Sequence, residues 1–505
     1  MPRITSQELV SGIVQECHTQ FSKLPKHGKP AKKTNGQTEW TILAGIVMAI
    51  PVNDTEQSAD KKGEGDELWD IACISLATGS KCLPQSKLSP RGDVVNDCHA
   101  EVLARRGFNR WCLAQMQSCI GNPDNPKNIF RYIGEQSTGQ GEKWPFFELV
   151  SSRTQFHLYV SQSPCGDATT ASLALTQTAE SKQAFMNGQK LQTNMGTRIF
   201  APALEIGVVG SKRQREKDIE SLPVAIKCPR LDEMEDISTV SASLINCDHV
   251  LELRRGRVDY DSVGVLRTKP GRVDSEPTLS MSCSDKIARW NVLGITSALV
   301  APFLKPIFLQ SIVICELFDT TALERALFGR IKCCRCSDNS LQPTQLHPID
   351  IHKTTSVFEF SKESITAKNE QEGVMTPPVA CPSSISWIAS ESLTTEVLVN
   401  GCKAGASARQ PLQSKSRSRL CKLNMFKASV ALWKSLPSFN LKSSNQDNLV
   451  QRLMSEDSSN IIYADWKAQT SEYNTVKQQL FQGVFQNWVK NDKTLEMFNV
   501  DGEIK

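Results

Sequence analysis

The chain has no segment suited to crossing a membrane or directing export. Its most apolar stretch, Leu293 to Phe318, is broken by Pro302, Lys305, Pro306 and Glu316. It falls short of the roughly 18 uncharged residues that a spanning helix needs and reads as core helix and strand. The start, MPRITSQELV, has neither the charged segment nor the apolar core of a secretory leader. Net charge is also scarce, at +4 over 505 residues. Attraction of the whole chain to nucleic acid is therefore weak, and any basic surface must be local. No internal repeat is apparent.

Cysteine, by contrast, is plentiful, with 17 residues. In a chain of this length without a leader, these fit a reducing intracellular compartment, nucleus or cytoplasm, better than a disulfide framework. The odd count leaves thiols available as metal ligands. A hydrophobic content of 39% supports a proper core in one large or two ordinary domains.

Residues 1–39 read as an N-terminal arm or linker: a short amphipathic stretch, Glu8 to Phe21, is followed by KLPKHGKPAKKTNG. The folded region is expected from Trp40 to the C-terminus, with Leu68 to Leu76 a buried strand that ends in the turn Thr78-Gly79-Ser80. Asp97 is placed to cap a helix running to about Met116, with His99 and Glu101 in its first turn. Phe156 to Ser161 alternates as a strand and feeds Pro164-Cys165-Gly166-Asp167 at a strand-to-helix junction. Polar stretches near 179–243 and 333–379 read as surface insertions, partly disordered. Near the end, Tyr473, Val476, Leu480, Phe481, Val484 and Trp488 share one helical face.

Zinc catalysis needs three protein ligands and one open position for water. His99-Ala100-Glu101 is the H-x-E arrangement in which the histidine binds metal and the carboxylate moves protons, as in nucleic-acid deaminases. Pro164-Cys165 supplies a second ligand, but the usual P-C-x-x-C pair is absent, because Ala168 stands three residues after Cys165. The third ligand must come from a distance. Cys283 opens the helix-like run SDKIARWNVLG; Cys98 and the Cys333-Cys334-Cys336 cluster are the alternatives, and the cluster reads better as loop cysteines. A lone H-x-E and free buried cysteines are common without function, so it is the H-A-E and P-C-G pair together that carries weight.

Asn96-Asp97-Cys98-His99-Ala100-Glu101 with Arg105-Arg106, then Ser163-Pro164-Cys165-Gly166-Asp167, then the string Met281 to Asn291 (MSCSDKIARWN) closely resemble the deaminase domain of the adenosine deaminases acting on RNA. The resemblance covers roughly Trp40 to the C-terminus. It implies an α/β, cytidine-deaminase-like fold: a mixed sheet flanked by helices, with a C-terminal helical extension enclosing an inositol polyphosphate. It also implies zinc ligands His99, Cys165 and Cys283, with Glu101 as proton shuttle. Water activated at zinc would add to C6 of adenine, ammonia would leave, and inosine would remain.

Within the family the likeness is to the branch that makes inosine at position 37, beside the anticodon of alanine tRNA. The residues before Trp40 are too few for a double-stranded-RNA-binding domain, and KPGRVDSEPTLS (Lys269 to Ser280) is shorter than the base-flipping loop of the double-strand editors. The rival readings are a double-strand editor, a cytidine deaminase using the same zinc site, or a non-catalytic RNA-binding scaffold with structural zinc. No obligate protein partner is indicated.

Several cations occupy apolar helical faces: Lys477 beside Tyr473, Leu480 and Phe481; Arg106 after Val102 and Leu103; Lys286 and Arg289 with Leu293. From the residues alone, snorkelling to solvent is the simpler account. The resemblance implies instead that Asn96, Arg105, Arg106, Lys286, Arg289, Lys422, Tyr463, Lys467, Tyr473, Lys477 and Trp488 hold inositol hexakisphosphate. It further implies that Asp97, Lys269 and Lys286 relay between that group and zinc. After Trp488, Val-Lys-Asn departs from the family's acidic residue and lysine. Lys212, Arg213, Arg215 and Lys217 read as a solvated loop sooner than as a phosphate-contacting patch.

Overall fold

Strand β1 (Leu43–Pro51) is apolar almost throughout, and all its side chains but that of Ile50 are buried. Such a run suits a central strand covered on both faces. In the computed structural model it pairs antiparallel with β2 (Trp69–Thr78) on one side and with β3 (Gln155–Gln162) on the other. Beyond β3 lie β4 (Ser311–Glu316) and β5 (Asp350–Lys353), both parallel to it. Beyond β2 come β6 (Ser383–Ile388), β7 (Glu396–Val399) and β8 (Cys402–Lys403), all antiparallel. The mixed sheet thus has the order β5-β4-β3-β1-β2-β6-β7-β8. The structure describes residues 7–52, 68–137, 143–170, 172, 250–256, 262–269, 275–332, 346–390, 395–406, 412–436 and 461–505.

The period-2 alternation of strands divides their side chains between two layers. Ala44, Ile46 and Met48 of β1 join Phe156, Leu158 and Val160 of β3 and Ile312 and Ile314 of β4 under helix α2 (Ala100–Gly121). On the opposite face Leu43, Val47, Tyr159 and Val313 pack under helix α1 (Gln7–Lys23). In α1, Leu9, Val10, Ile13, Val14, Cys17 and Phe21 are buried, at the i, i+3, i+4, i+7 spacing of one apolar stripe. The N-terminal region therefore differs from the expected arm. A sheet buried on both faces needs a helix on this side as well, and α1 supplies it.

The expected insertion over 333–379 is also corrected where it is described. Residues 350–353 form the sheet edge and Lys362–Gln371 a helix, with Phe358 and Ile365 buried beneath. The polar surface of an edge strand and of an exposed helix hides this from composition. Residues 179–243 and 333–345 lie outside the described residues, as do Lys212, Arg213, Arg215, Lys217, Cys333, Cys334 and Cys336.

Helix α3 (Cys283–Leu293) is followed by the C-terminal helices α4 (Lys422–Ser435), α5 (Tyr463–Ala468) and α6 (Ser471–Gln482), of which α4 packs on α2 and α6 on α3. Helix α4 places Phe426 and Trp433 against Trp466, whose indole N–H donates to Ser429 Oγ at 2.8 Å. The final helix stops at Gln482; Val484, Phe485 and Trp488 follow it and still join Leu480 and α3's Val292 and Leu293 in one cluster. Among the described residues no helix is long and apolar enough to cross a membrane.

The start of α2 is tied to the sheet through Gly79. Its N–H donates to Ile42 O and its carbonyl accepts from Ala100 N. At φ +141°, a Cβ here would lie 2.1 Å from Ser384 Oγ and 2.2 Å from the Cys98 carbonyl. Both neighbours are fixed by the sheet and the helix start, so neither can give way. Gly79→Ala is expected to cost about 2–4 kcal/mol, read as a lowered denaturant midpoint in equilibrium unfolding.

Candidate active site

The expected helix cap is displaced by two residues. Asp97, Cys98 and His99 form a short strand antiparallel to Ser80–Cys82, and His99 is the capping position of α2. Pairing with Ser80–Cys82 leaves the Asp97 carboxylate free for interior partners. Its Oδ1 accepts from the His99 backbone N–H at 3.1 Å and from His99 Nδ1–H at 2.8 Å. That bond fixes the ring and leaves Nε2 for a ligand. Glu101 sits in the first turn of α2, 1% exposed, and its Oε2 has no hydrogen-bond partner.

Two loops bring the cysteines alongside. Cys165 follows β3; Cys283 begins α3, whose capping residue Ser282 accepts from Asp285 N. The Cys283 N–H donates to Cys165 Sγ at 3.4 Å and the Ser284 N–H to Cys165 O at 3.0 Å. Gly166, at φ +108°, makes the approach possible, since a Cβ would lie 2.2 Å from Ser282 Oγ and 2.6 Å from Ser284 Oγ. Any other residue would drive the two cysteine loops apart. Cys165 lies between the other two, hydrogen-bonded to His99 on one side and to Cys283 on the other. No three or more His, Cys, Asp or Glu side chains among the described residues are spaced as a ready metal cage.

The electrostatics favour the thiolate at Cys165 alone, because burial and then Cys165 push the Cys283 thiol well above its ordinary range. The hydrogen bond from Cys283 holds the Cys165 thiol well below its ordinary range, against burial, with help from Lys269 and His99. Burial and Lys269 oppose charge on the His99 ring, but Asp97 and Cys165 outweigh them and raise it to about 9. Burial, then Cys165, pushes Glu101 up. Burial alone would raise Asp97 too, yet Lys269, Lys286 and His99 hold it well below the usual carboxylate range.

Lys269 is 3% exposed and donates to Asp97 Oδ2 at 2.8 Å, Asp97 Oδ1 at 3.1 Å and Cys283 Sγ at 3.1 Å. Lys286 donates to Asp97 Oδ2 and, at 2.6 Å, to Ser280 Oγ, which itself donates to Asp97 Oδ2 at 2.7 Å. All three expected relay residues therefore meet. Sequence reading missed Ser280, which carried no motif signal.

On the far side of Lys286 is a cavity of about 230 Å³, lined by Asn96, Asp97, Arg105, Arg106, Lys286, Arg289, Lys422 and Trp488 among others. Of the apolar-face cations, Arg106, Lys286 and Arg289 line this shared space instead of snorkelling outward, whereas Lys477 is not among its lining residues. Arg106 Nε donates to Leu420 O at 2.6 Å, and Arg105 donates to Thr296 O at 2.8 Å while its buried Nε lacks a partner. Arg289 lies 5.1 Å from the Trp488 ring centre and Arg105 5.1 Å from that of Trp290.

Lys467 joins from α5, paired with Glu496 at 2.6 Å and lying 5.2 Å from the Tyr463 ring. Burial depresses Lys422 and Lys477 to about 8 each and Arg105 to about 9, with Glu496 and Tyr473 respectively only partly compensating. Cations outnumber the acids Asp97 and Glu496, so the region is suited to a dense anion. Glu496, which sequence reading also missed, lies beyond Trp488 in a stretch without periodicity.

The adenosine-deaminase (editase) domain model matches residues 75–492. The tRNA-specific adenosine deaminase 1 of Drosophila melanogaster is 30% identical over 497 residues, covering 97% of this chain and 97% of the relative. The Homo sapiens protein of the same name is 27% identical over 534 residues, covering 96% of this chain and 99% of the relative. The double-stranded RNA-specific adenosine deaminase of Rattus norvegicus is 27% identical over 363 residues, covering 70% of this chain and 24% of that relative. With a match spanning both cysteine loops, the H-A-E turn and most of the cationic cavity, the chain belongs to the adenosine-deaminase (editase) domain family.

Proposed function

We propose that the chain converts adenosine to inosine in tRNA by hydrolytic deamination, at position 37 beside the anticodon of alanine tRNA. The observation that carries the chemistry is the buried Glu101 carboxyl, unpartnered at Oε2, beside the converging His99, Cys165 and Cys283. A structural metal site has no use for such a group, which argues against the scaffold reading. Support for tRNA comes from length, since the relatives named for tRNA align from end to end and the double-strand enzyme over a quarter of itself.

His99 Nε2 and the two sulfurs form an N,S,S donor set that suits zinc. Zinc bound there supplies a Lewis acid that lowers the pKa of water from about 15.7 toward roughly 7. Glu101 is placed to take a proton at its unpartnered Oε2 and return it to N1 of the base, and its raised pKa suits a group that both accepts and gives protons near neutrality. Asp97 orients the His99 ring, and Lys269, donating to Cys283 Sγ, opposes the burial that pushes that thiol well above its ordinary range. An anticodon loop presents its base already partly unstacked, which spares a few kcal/mol of base extrusion.

The cationic cavity is proposed to hold inositol hexakisphosphate. Its phosphates would meet Asn96, Arg105, Arg106, Lys286, Arg289 and Lys422, with Tyr463, Lys467, Tyr473, Lys477 and Trp488 around them. The unpartnered Arg105 Nε and the depressed lysines fit that occupant, because buried cations lacking counter-charge are costly.

Treating a total tRNA pool with the protein and sequencing for A-to-G change is expected to place inosine at position 37 of alanine tRNA; C-to-U change, or editing of long duplex RNA alone, would replace this reading. Glu101→Gln should lower the rate by about 10²–10⁴-fold while zinc content by elemental analysis stays at the wild-type value. Mass spectrometry of the denatured protein should release inositol hexakisphosphate, and an empty result would remove the cofactor.

A further inference from the structure

Each cysteine is followed two positions later by an aspartate that the mechanism leaves unused, Asp167 after Cys165 and Asp285 after Cys283. Both are 0% exposed, and they are bound alike. Asp167 Oδ1 accepts from the Gly264 N–H at 2.7 Å and Oδ2 from Arg325 Nε at 3.0 Å. Asp285 Oδ2 accepts from the Arg267 N–H at 2.9 Å and Oδ1 from an Arg330 terminal N–H at 2.6 Å. Each aspartate thus joins one arginine to one backbone N–H of the segment 262–269, whose last residue, Lys269, touches Cys283 and Asp97.

The two arginines come from one short element, Thr320–Lys332, which contains a π turn over Arg325–Gly329. In an α-helix, residues five apart project roughly 140° from each other. The i→i+5 pattern brings them toward one side, and the Arg330 N–H donates to the Arg325 carbonyl itself. The same element ties to α3 through Asn291 Nδ2 on Leu327 O at 3.0 Å, and Arg330 reaches Val265 O at 2.9 Å. A regular helix would turn one of the arginines away from its aspartate.

We infer that the π turn of residues 325–330 is a clamp whose two arginines, acting through Asp167 and Asp285, set the position of both cysteine loops and of Lys269. Arg325, Arg330, Asp167 and Asp285 are positioning residues that touch neither the donor atoms nor the base. The inference rests on the proposed zinc chemistry for its kinetic effect, and on the fold alone for its structural effect.

Both effects can be read on the full chain. Asp167 is buried and Arg325 partly exposed, so Asp167→Asn combined with Arg325→Gln, and Asp285→Asn combined with Arg330→Gln, each remove one pair without leaving a buried lone charge. Expected for each is an exchange rate of the 262–269 amides raised about tenfold or more, with the β1–β4 strands unchanged. On tRNA, kcat should fall about 10–100-fold at constant KM, and Arg325→Lys should recover most of the loss. Wild-type exchange and kcat in both variants would overturn the clamp, as would a rise in KM alone, or protection lost uniformly across the sheet. A wild-type chain that forms no inosine would overturn the proposed function while leaving the exchange measurement as the test of the clamp.

Discussion

The interior carboxylate of Asp97 is the interaction on which the site's other placements depend. An ionised carboxylate withdrawn from water costs several kcal/mol unless charges and donors surround it. Here Lys269, Lys286, Ser280 and His99 all converge on its two oxygens. These groups come from the start of α2, the end of the 262–269 segment, the loop before α3 and α3 itself. Satisfying one buried charge therefore fixes the relative positions of four chain segments, including those that carry His99 and Cys283.

The arrangement also links two regions that would otherwise be separate. Asp97 and Lys286 both line the cationic cavity, while Lys269 sits between Asp97 and Cys283. Charge added to or taken from the cavity is thereby felt within two contacts of Cys283 Sγ. Among the described residues, Glu496 and Asp97 are the acids that offset the cavity's excess of positive charge. Leu480 of α6 with Val484 and Phe485 beyond it pack on Val292 and Leu293 of α3, so this part of the C-terminal region is built into the core instead of forming a separate unit.

Much of the site was legible as short strings, because its chemistry demands particular residue types at fixed offsets: histidine two before glutamate, cysteine at the start of a helix. Helices and buried strands showed through their periodicity, as in α3 and the run ending at Thr78. What misled was polarity read as position. Residues 7–23 resembled an arm because the lysine-rich stretch after them dominates the composition, and residues 350–371 resembled an insertion because an edge strand and its helix face water. Ser280, Glu496, Arg325 and Arg330 left no local signal, since each has meaning only through a partner far along the chain.

By itself the sequence determined the family and the mixed α/β architecture and named the candidate donors and glutamate, because these rest on residue identity and local period. Tertiary structure alone decided that Asp97 faces inward instead of capping α2, and that Arg106, Lys286 and Arg289 share one cavity instead of snorkelling. It also decided that a π turn delivers two arginines to the aspartates behind the cysteines. The physical reason is the same in each case: burial and counter-charge are properties of neighbours, and those neighbours are supplied by segments separated along the chain by 45 to 189 residues.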